Sequence, residues 1–159
     1  MKQQDIRVRP VREDKRALMP LLLVGDESED MVLRYLDRGE AYVLEEDGET
    51  VAAAVVTDEG NGVCEVKNLS VRPDRQRRGY GSALLRDLAA RYAPAFHTMQ
   101  LGTGESPLTL PFYRGNGFVP FRRVPNFFTD HYPLPIVEEG VVLRDMIYLK
   151  KTLREEGRP

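Results

Sequence analysis

Residues 64–92 read CEVKNLSV (64–71), RPDRQRRGYGS (72–82) and ALLRDLAARY (83–92). The order is a buried strand, a basic glycine-containing turn and an amphipathic helix. A helix start leaves its first N–H groups without intrahelical acceptors, and the positive end of the helix dipole stands behind them. That combination is a ready anion site. Gly79 and Gly81 remove the Cβ atoms that would hold a pyrophosphate away, and Arg75, Arg77 and Arg78 add local charge. In the helix, Leu84, Leu85, Leu88, Ala89 and Tyr92 share one side, while Arg86, Asp87 and Arg91 face solvent.

The strand carries an irregularity. Cys64 and Val66 have one parity, Leu69 and Val71 the other. A strand that slips phase in this way contains a bulge, expected here at Lys67–Leu69. A bulge splays the strand from its neighbour and frees backbone N–H groups for a ligand.

Working outward, Asp5–Arg9 alternates as a short strand. Arg12–Val24 has helical spacing interrupted by Pro20, which predicts a kink or two helical pieces. A second helix runs to about Asp37, with Val32, Leu33 and Leu36 inward and Gly39 at its stop. Ala41–Glu45, Thr50–Thr57 and Cys64–Val71 are joined by short polar turns and form an antiparallel meander. His97–Leu101 is expected parallel to Cys64–Val71, because a helix crosses between them, and His97 flanks that strand. A short helix over Leu108–Arg114 and strands over Phe118–Val124 and Val141–Lys150 complete the order. The expected fold is one α/β (α+β) domain over residues 1–159. Its mixed, mostly antiparallel sheet of about six to seven strands is splayed at Cys64–Val71 and flanked by about four helices, with a frayed tail at 154–159.

Composition narrows the function. The chain has 159 residues, 42% hydrophobic and 30% charged, with a net charge of −2. Such a balance suits one globular domain and gives no field for nucleic acid or an anionic membrane. Cys64 is the single cysteine, which excludes an intramolecular disulfide and a cysteine metal site and fits a reducing cytoplasm. The N-terminus has no signal-peptide pattern, and no apolar run reaches membrane-spanning length. A Rossmann site would need a third glycine and a following strand-end acid, and a P-loop would need Gly-Lys-Ser/Thr; the turn has neither.

Gln76-x-x-Gly79-x-Gly81 after a strand resembles the acetyl-CoA motif of the GNAT N-acetyltransferase superfamily, and Phe112-Tyr113-x-x-x-Gly117-Phe118 resembles its later helix-to-strand motif. The upstream helices and meander also match, and Leu101–Lys150 is similar to a bacterial branch. The resemblance implies acetyl-CoA as donor and no metal. It further implies that Leu69, Ser70 and Val71 pair with the pantetheine arm. Arg77, Arg78, Gly79, Tyr80, Gly81 and Ser82 would meet the pyrophosphate, with Gln76 in the motif's first position. Tyr113 would protonate the departing thiolate. Many members carry Asn seven residues before that tyrosine; here it is Ser106, whose hydroxyl reaches less far. Glu65 stands eleven residues before Gln76, where the histone-acetylating branch has its base, and Lys67 beside it is equally an ion-pair partner.

The acceptor, a primary amine, would be held by Pro125–Gly140 and the Val24–Ser28 loop, with Phe127, Phe128, His131 and Tyr132 as an aromatic wall and Asp130, Glu138 or Glu139 attracting a cation. The same aromatics suit a satellite core or a homodimer contact. The expected activity is direct transfer of acetyl to a small-molecule or peptide amine. The competing expectation is a regulatory module that binds CoA without turnover.

Overall fold

The computed structural model describes residues 5–154. Strand β1 (Ile6–Val11) leads through a 3-10 turn, Lys15–Leu18, into helix α1 (Met19–Gly25). Pro20 sits in the first turn of α1, where its missing N–H breaks no helical bond, so the segment forms two pieces. Helix α2 (Glu29–Leu36) is capped at both ends. Ser28 Oγ accepts from the Met31 N–H at 3.2 Å, and Lys15 Nζ donates to the Leu36 and Gly39 carbonyls at 2.6 and 2.8 Å. Its inward residues are Val32, Tyr35 and Leu36; Leu33, expected inward, is only half-buried.

Strands β2 (Glu40–Glu46), β3 (Glu49–Gly60) and β4 (Val63–Val71) form the antiparallel meander. Asp47-Gly48 and Asn61-Gly62 make its turns with positive φ at both positions, the geometry that matches strand twist. Then come α3 (Tyr80–Tyr92), β5 (Thr98–Gly104), α4 (Thr109–Gly115) and β6 (Val119–Val124). Helix α5 (Phe127–His131), the two-residue strands β7 (Val137–Glu138) and β8 (Val141–Val142), and β9 (Met146–Thr152) complete the described chain.

Seven strands make one sheet in the order β1-β2-β3-β4-β5-β9-β6, with β4 and β5 its parallel pair. Helix α3 covers one face over a core that includes Leu84, Leu88, Met99 and Leu149. Helices α1 and α2 cover the other, over Leu22, Val32, Leu36 and Val43. Strand β3 serves both: Ala52, Ala54 and Val56 face α3, and Ala53 and Val55 face α1 and α2. That is why it reads as a continuous apolar run rather than an alternation.

The described residues hold five α-helices, consistent with the expected number of about four, and α5 lies in the segment read as loop. One expectation changes. The strand expected over Val141–Lys150 divides into β8 and β9, because the intervening turn serves α5: the Arg144 carbonyl accepts from Phe128 N–H at 2.9 Å and Asp145 Oδ1 from Asn126 N–H at 2.9 Å.

Candidate active site

The phase slip in β4 is resolved by one extra residue. Val55 pairs with Asn68 and Val56 with Val66, so Lys67 bulges out of the ladder. The bulge lets Cys64 and Val66 before it, and Leu69 and Val71 after it, all pack on the α3 core. The opposite face then carries Asn68 and Ser70. Asn68 Nδ2 donates to the Leu22 carbonyl at 2.9 Å and the Tyr35 hydroxyl at 3.0 Å, and Ser70 Oγ donates to Asn68 Oδ1 at 2.6 Å. Gly25 lets α1 approach this closely, since a Cβ there would lie 2.5 Å from Ser70 Oγ and 2.9 Å from the Leu69 carbonyl.

Past the bulge the sheet opens. Strand β4 pairs with β5 over Val63–Val66 and Thr98–Leu101, whereas Gly102–Gly104 pair only with β9. Asn68–Val71 therefore keep β3 on one side and face a cavity of about 630 Å³ on the other. That volume is within the range of small-molecule and cofactor sites.

One wall of the cavity is the start of α3. Gly79 is its N-cap with φ of 88°, and a Cβ there would meet nothing within 4 Å. The left-handed conformation, rather than crowding, is what requires glycine. Arg77 also takes a positive φ, 64°. The N–H groups of Tyr80, Gly81 and Ser82 open the helix without intrahelical acceptors, on the cavity wall. Buried Glu46 holds this corner: the Tyr80 hydroxyl donates to Oε2 at 2.5 Å and Arg75 Nη1 to Oε1 at 2.9 Å. Arg75 thereby becomes part of the scaffold. Arg77 stands on the wall with no carboxylate partner among the described residues, and Arg78 lies off it. Gln76 Nε2 donates to the Val71 carbonyl at 3.1 Å and ties the turn to the strand.

Tyr113 lines the cavity from α4, packed edge-on against Phe112 and Phe118 at 5.1 and 6.1 Å between ring centroids. Burial, and secondarily the charge of Glu138, pushes its phenol up to about 12. Ser106 is buried, and its Oγ accepts from the Leu108 N–H at 3.0 Å. It caps the turn into α4 and does not reach the cavity wall. Glu65 is also off the wall, with both oxygens engaged by Lys67 Nζ at 2.5 Å and Gln100 Nε2 at 2.6 Å.

The other end is closed by the α1–α2 loop and the segment after β6. Phe128 and Tyr132 line it; Phe127, Asp130 and His131 do not, and Phe127 stacks on His131 at 4.6 Å. Asp26 takes the Tyr132 hydroxyl at 2.8 Å and the Tyr35 hydroxyl at 3.2 Å, and burial raises the pKa of both tyrosines. His97 flanks β5, bonding the Asn61 carbonyl and Thr98 Oγ1. Glu46 and Asp26 hold hydrogen-bonding positions that sequence reasoning did not assign. Of the three carboxylates expected to attract a cation, Glu138 and Glu139 line the cavity and Asp130 does not; the tight turn at Glu139-Gly140 puts Glu138 on the same side as Ile136. Among the described residues no group of three His, Cys, Asp or Glu could hold a metal ion, and no helix is long and apolar enough to cross a membrane.

Residues 37–120 match the family model described as an acetyltransferase (GNAT) domain. The Bacillus subtilis N-acetyltransferase YvbK is 32% identical over 151 residues, 94% of this chain and 97% of that protein. A GNAT family acetyltransferase from Elizabethkingia anophelis with acetyl-CoA bound superposes with a TM-score of 0.88 at 31% identity, covering 92% of this chain and 97% of that one. A Bacillus subtilis acetyltransferase in complex with CoA gives 0.86 at 31% identity, covering 93% and 99%. A match over more than half the chain, a relative of nearly equal length and this splayed sheet agree: the chain belongs to the GNAT acetyltransferase family.

Proposed function

We propose that the chain transfers acetyl from acetyl-CoA to a primary amine by direct attack within a ternary complex. The observation that carries this reading is the bulge at Lys67, which opens β4 from β5 opposite the free N-terminus of α3 and beside Tyr113. The unpaired edge at Leu69 and Val71 suits the amide groups of a pantetheine arm, as an added strand. The N–H groups at Gly79–Ser82, with Arg77, suit the pyrophosphate. Bound acetyl-CoA supplies the activated acetyl group. The residues supply position and protons: a backbone N–H near the bulge would face the developing oxyanion, and Tyr113 would return a proton to the leaving sulfur. With its phenol near 12, Tyr113 stays protonated at neutral pH and can donate repeatedly. Glu65, tied to Lys67 and Gln100, serves as base only through an intervening water. The acceptor class spans small-molecule amines, protein or peptide N-termini and lysines.

Tyr113→Phe separates chemistry from binding. Thioester turnover is expected to fall by roughly 100-fold with acetyl-CoA affinity almost unchanged. Unchanged turnover would remove the acid role.

A further inference from the structure

Glu138 is the one cavity-wall side chain with an unsatisfied buried atom: among the described residues, Oε2 is its single case, shielded from solvent and without a hydrogen-bond partner. Its position is built, not accidental. Glu139 and Gly140, with φ of 48° and 77°, make a two-residue turn that pairs Glu138 with Val141, and the Leu143 N–H donates to the Ile136 carbonyl at 2.8 Å. Alternation along this short strand buries Ile136, exposes Val137 and turns Glu138 inward. A buried carboxylate oxygen without a protein donor is costly, so the site suits a donor that arrives with the ligand.

The surrounding charges say which donor. The wall facing the hairpin carries Asp26, whose oxygens are taken by Tyr35, Tyr132 and the Ser28 N–H, and the exposed Glu27. The cations on the cavity wall are Lys67, held by Glu65, Arg75, held by Glu46, and Arg77 at the pyrophosphate turn. An anionic acceptor would meet repulsion at this end, and an ammonium would meet a free acceptor oxygen. Phe128, Tyr132, Ile136 and Leu143 beside it offer apolar surface to a hydrocarbon chain.

We propose that Glu138 is the acceptor-binding carboxylate, pairing with the ammonium of an aliphatic primary amine and holding beside Tyr113 the nitrogen that attacks once it has released one proton to solvent. The assignment deepens the transferase reading above and rests on it for the identity of the reaction. A bound ammonium also offsets the negative charge that Glu138 places near the Tyr113 phenol, which favours proton donation from it.

The test is calorimetric titration of n-hexylamine into the CoA-saturated protein, in wild type, Glu138→Gln and the charge control Asp87→Asn, paired with CoA release from acetyl-CoA using n-hexylamine or hydroxylamine, an acceptor neutral at pH 7. Glu138→Gln is expected to weaken hexylamine binding by about ten-fold or more and to raise its KM equally, while the KM for acetyl-CoA stays near wild type and turnover of hydroxylamine does not fall. Asp87→Asn should match wild type throughout. Hexylamine affinity unchanged within about two-fold in Glu138→Gln, or no saturable hexylamine binding by wild type, would overturn the assignment. Glu138-dependent hexylamine binding by a chain that does not bind acetyl-CoA would support the assignment and contradict the transferase reading.

Discussion

The Tyr132 hydroxyl donates to Asp26 Oδ1 at 2.8 Å, across 106 positions of the sequence. This bond joins the segment after β6 to the α1–α2 loop and closes the end of the cavity where the proposed acceptor would sit. Tyr132→Phe keeps the ring and removes the tie, and Asp26 retains Tyr35 and Ser28 as donors. The expected cost is about 1 kcal/mol of stability. The KM for the amine should rise several-fold, and acetyl-CoA affinity should not change. A loss of acetyl-CoA affinity matching the loss for amine would show that the tie shapes the whole cavity instead.

Asn68 fastens the splayed half of β4 to α1 through Leu22 and to α2 through Tyr35, and it is almost fully buried. Asn68→Ala removes two donors and the acceptor for Ser70. Urea unfolding should show a loss of about 2–3 kcal/mol. Acetyl-CoA binding should weaken with it, because the strand edge that would hold the pantetheine arm loses its backing. Full stability in the variant would contradict the role given to this network.

Alkaline pH should unfold the chain through its buried tyrosines. Burial raises the phenols of Tyr35 and Tyr92 above their ordinary 10.0, and each is less than a tenth exposed. A raised pKa favours the neutral form in the folded state, so the unfolded state ionises first. The contribution is complete below 10.0 and is lost as pH rises above it, at a slope on the order of 1 kcal/mol per pH unit for each tyrosine. Urea midpoints measured from pH 8 to pH 11.5 should be flat and then fall. A midpoint that rises above pH 10 would reverse the sign.

Local rules made much of this legible. The parity change between Val66 and Leu69 located the bulge, because side-chain alternation leaves no other way to keep both halves of the strand on one core. Glycine spacing located the helix start, and short polar turns located the meander. What stayed hidden depends on partners distant in the chain. Glu46 reads as part of the polar turn after Ala41–Glu45 until Arg75 and Tyr80 fold onto it, 29 and 34 positions on. Ser106 reads as a ligand contact, but it lies off the cavity wall, where its hydroxyl oxygen accepts from the Leu108 N–H two residues away. Tyr35 outcompetes Leu33 for the inner face of α2 because its hydroxyl finds Asn68 and Asp26, and hydrophobicity alone does not register such a gain. The aromatic segment was legible only in part: Phe128 and Tyr132 reach the cavity, while Phe127 and His131 stack on each other.

The bulge at Lys67 is the feature on which the proposed donor site rests, and deleting it is the sharpest test. Without Lys67 the sequence Cys-Glu-Val-Asn-Leu-Ser-Val alternates regularly, and every apolar residue keeps its place on the α3 core. Glu65→Gln, made together with the deletion, avoids leaving a buried carboxylate without its ion-pair partner. The measurement is the Kd of acetyl-CoA by calorimetry for the intact chain and this deletion variant, with folding checked by urea unfolding. The expected result is a variant that folds within about 2 kcal/mol of the parent yet binds acetyl-CoA at least about 30-fold more weakly. A well-folded variant that binds acetyl-CoA as tightly as the parent would contradict the claim that the splay at β4 makes the donor site.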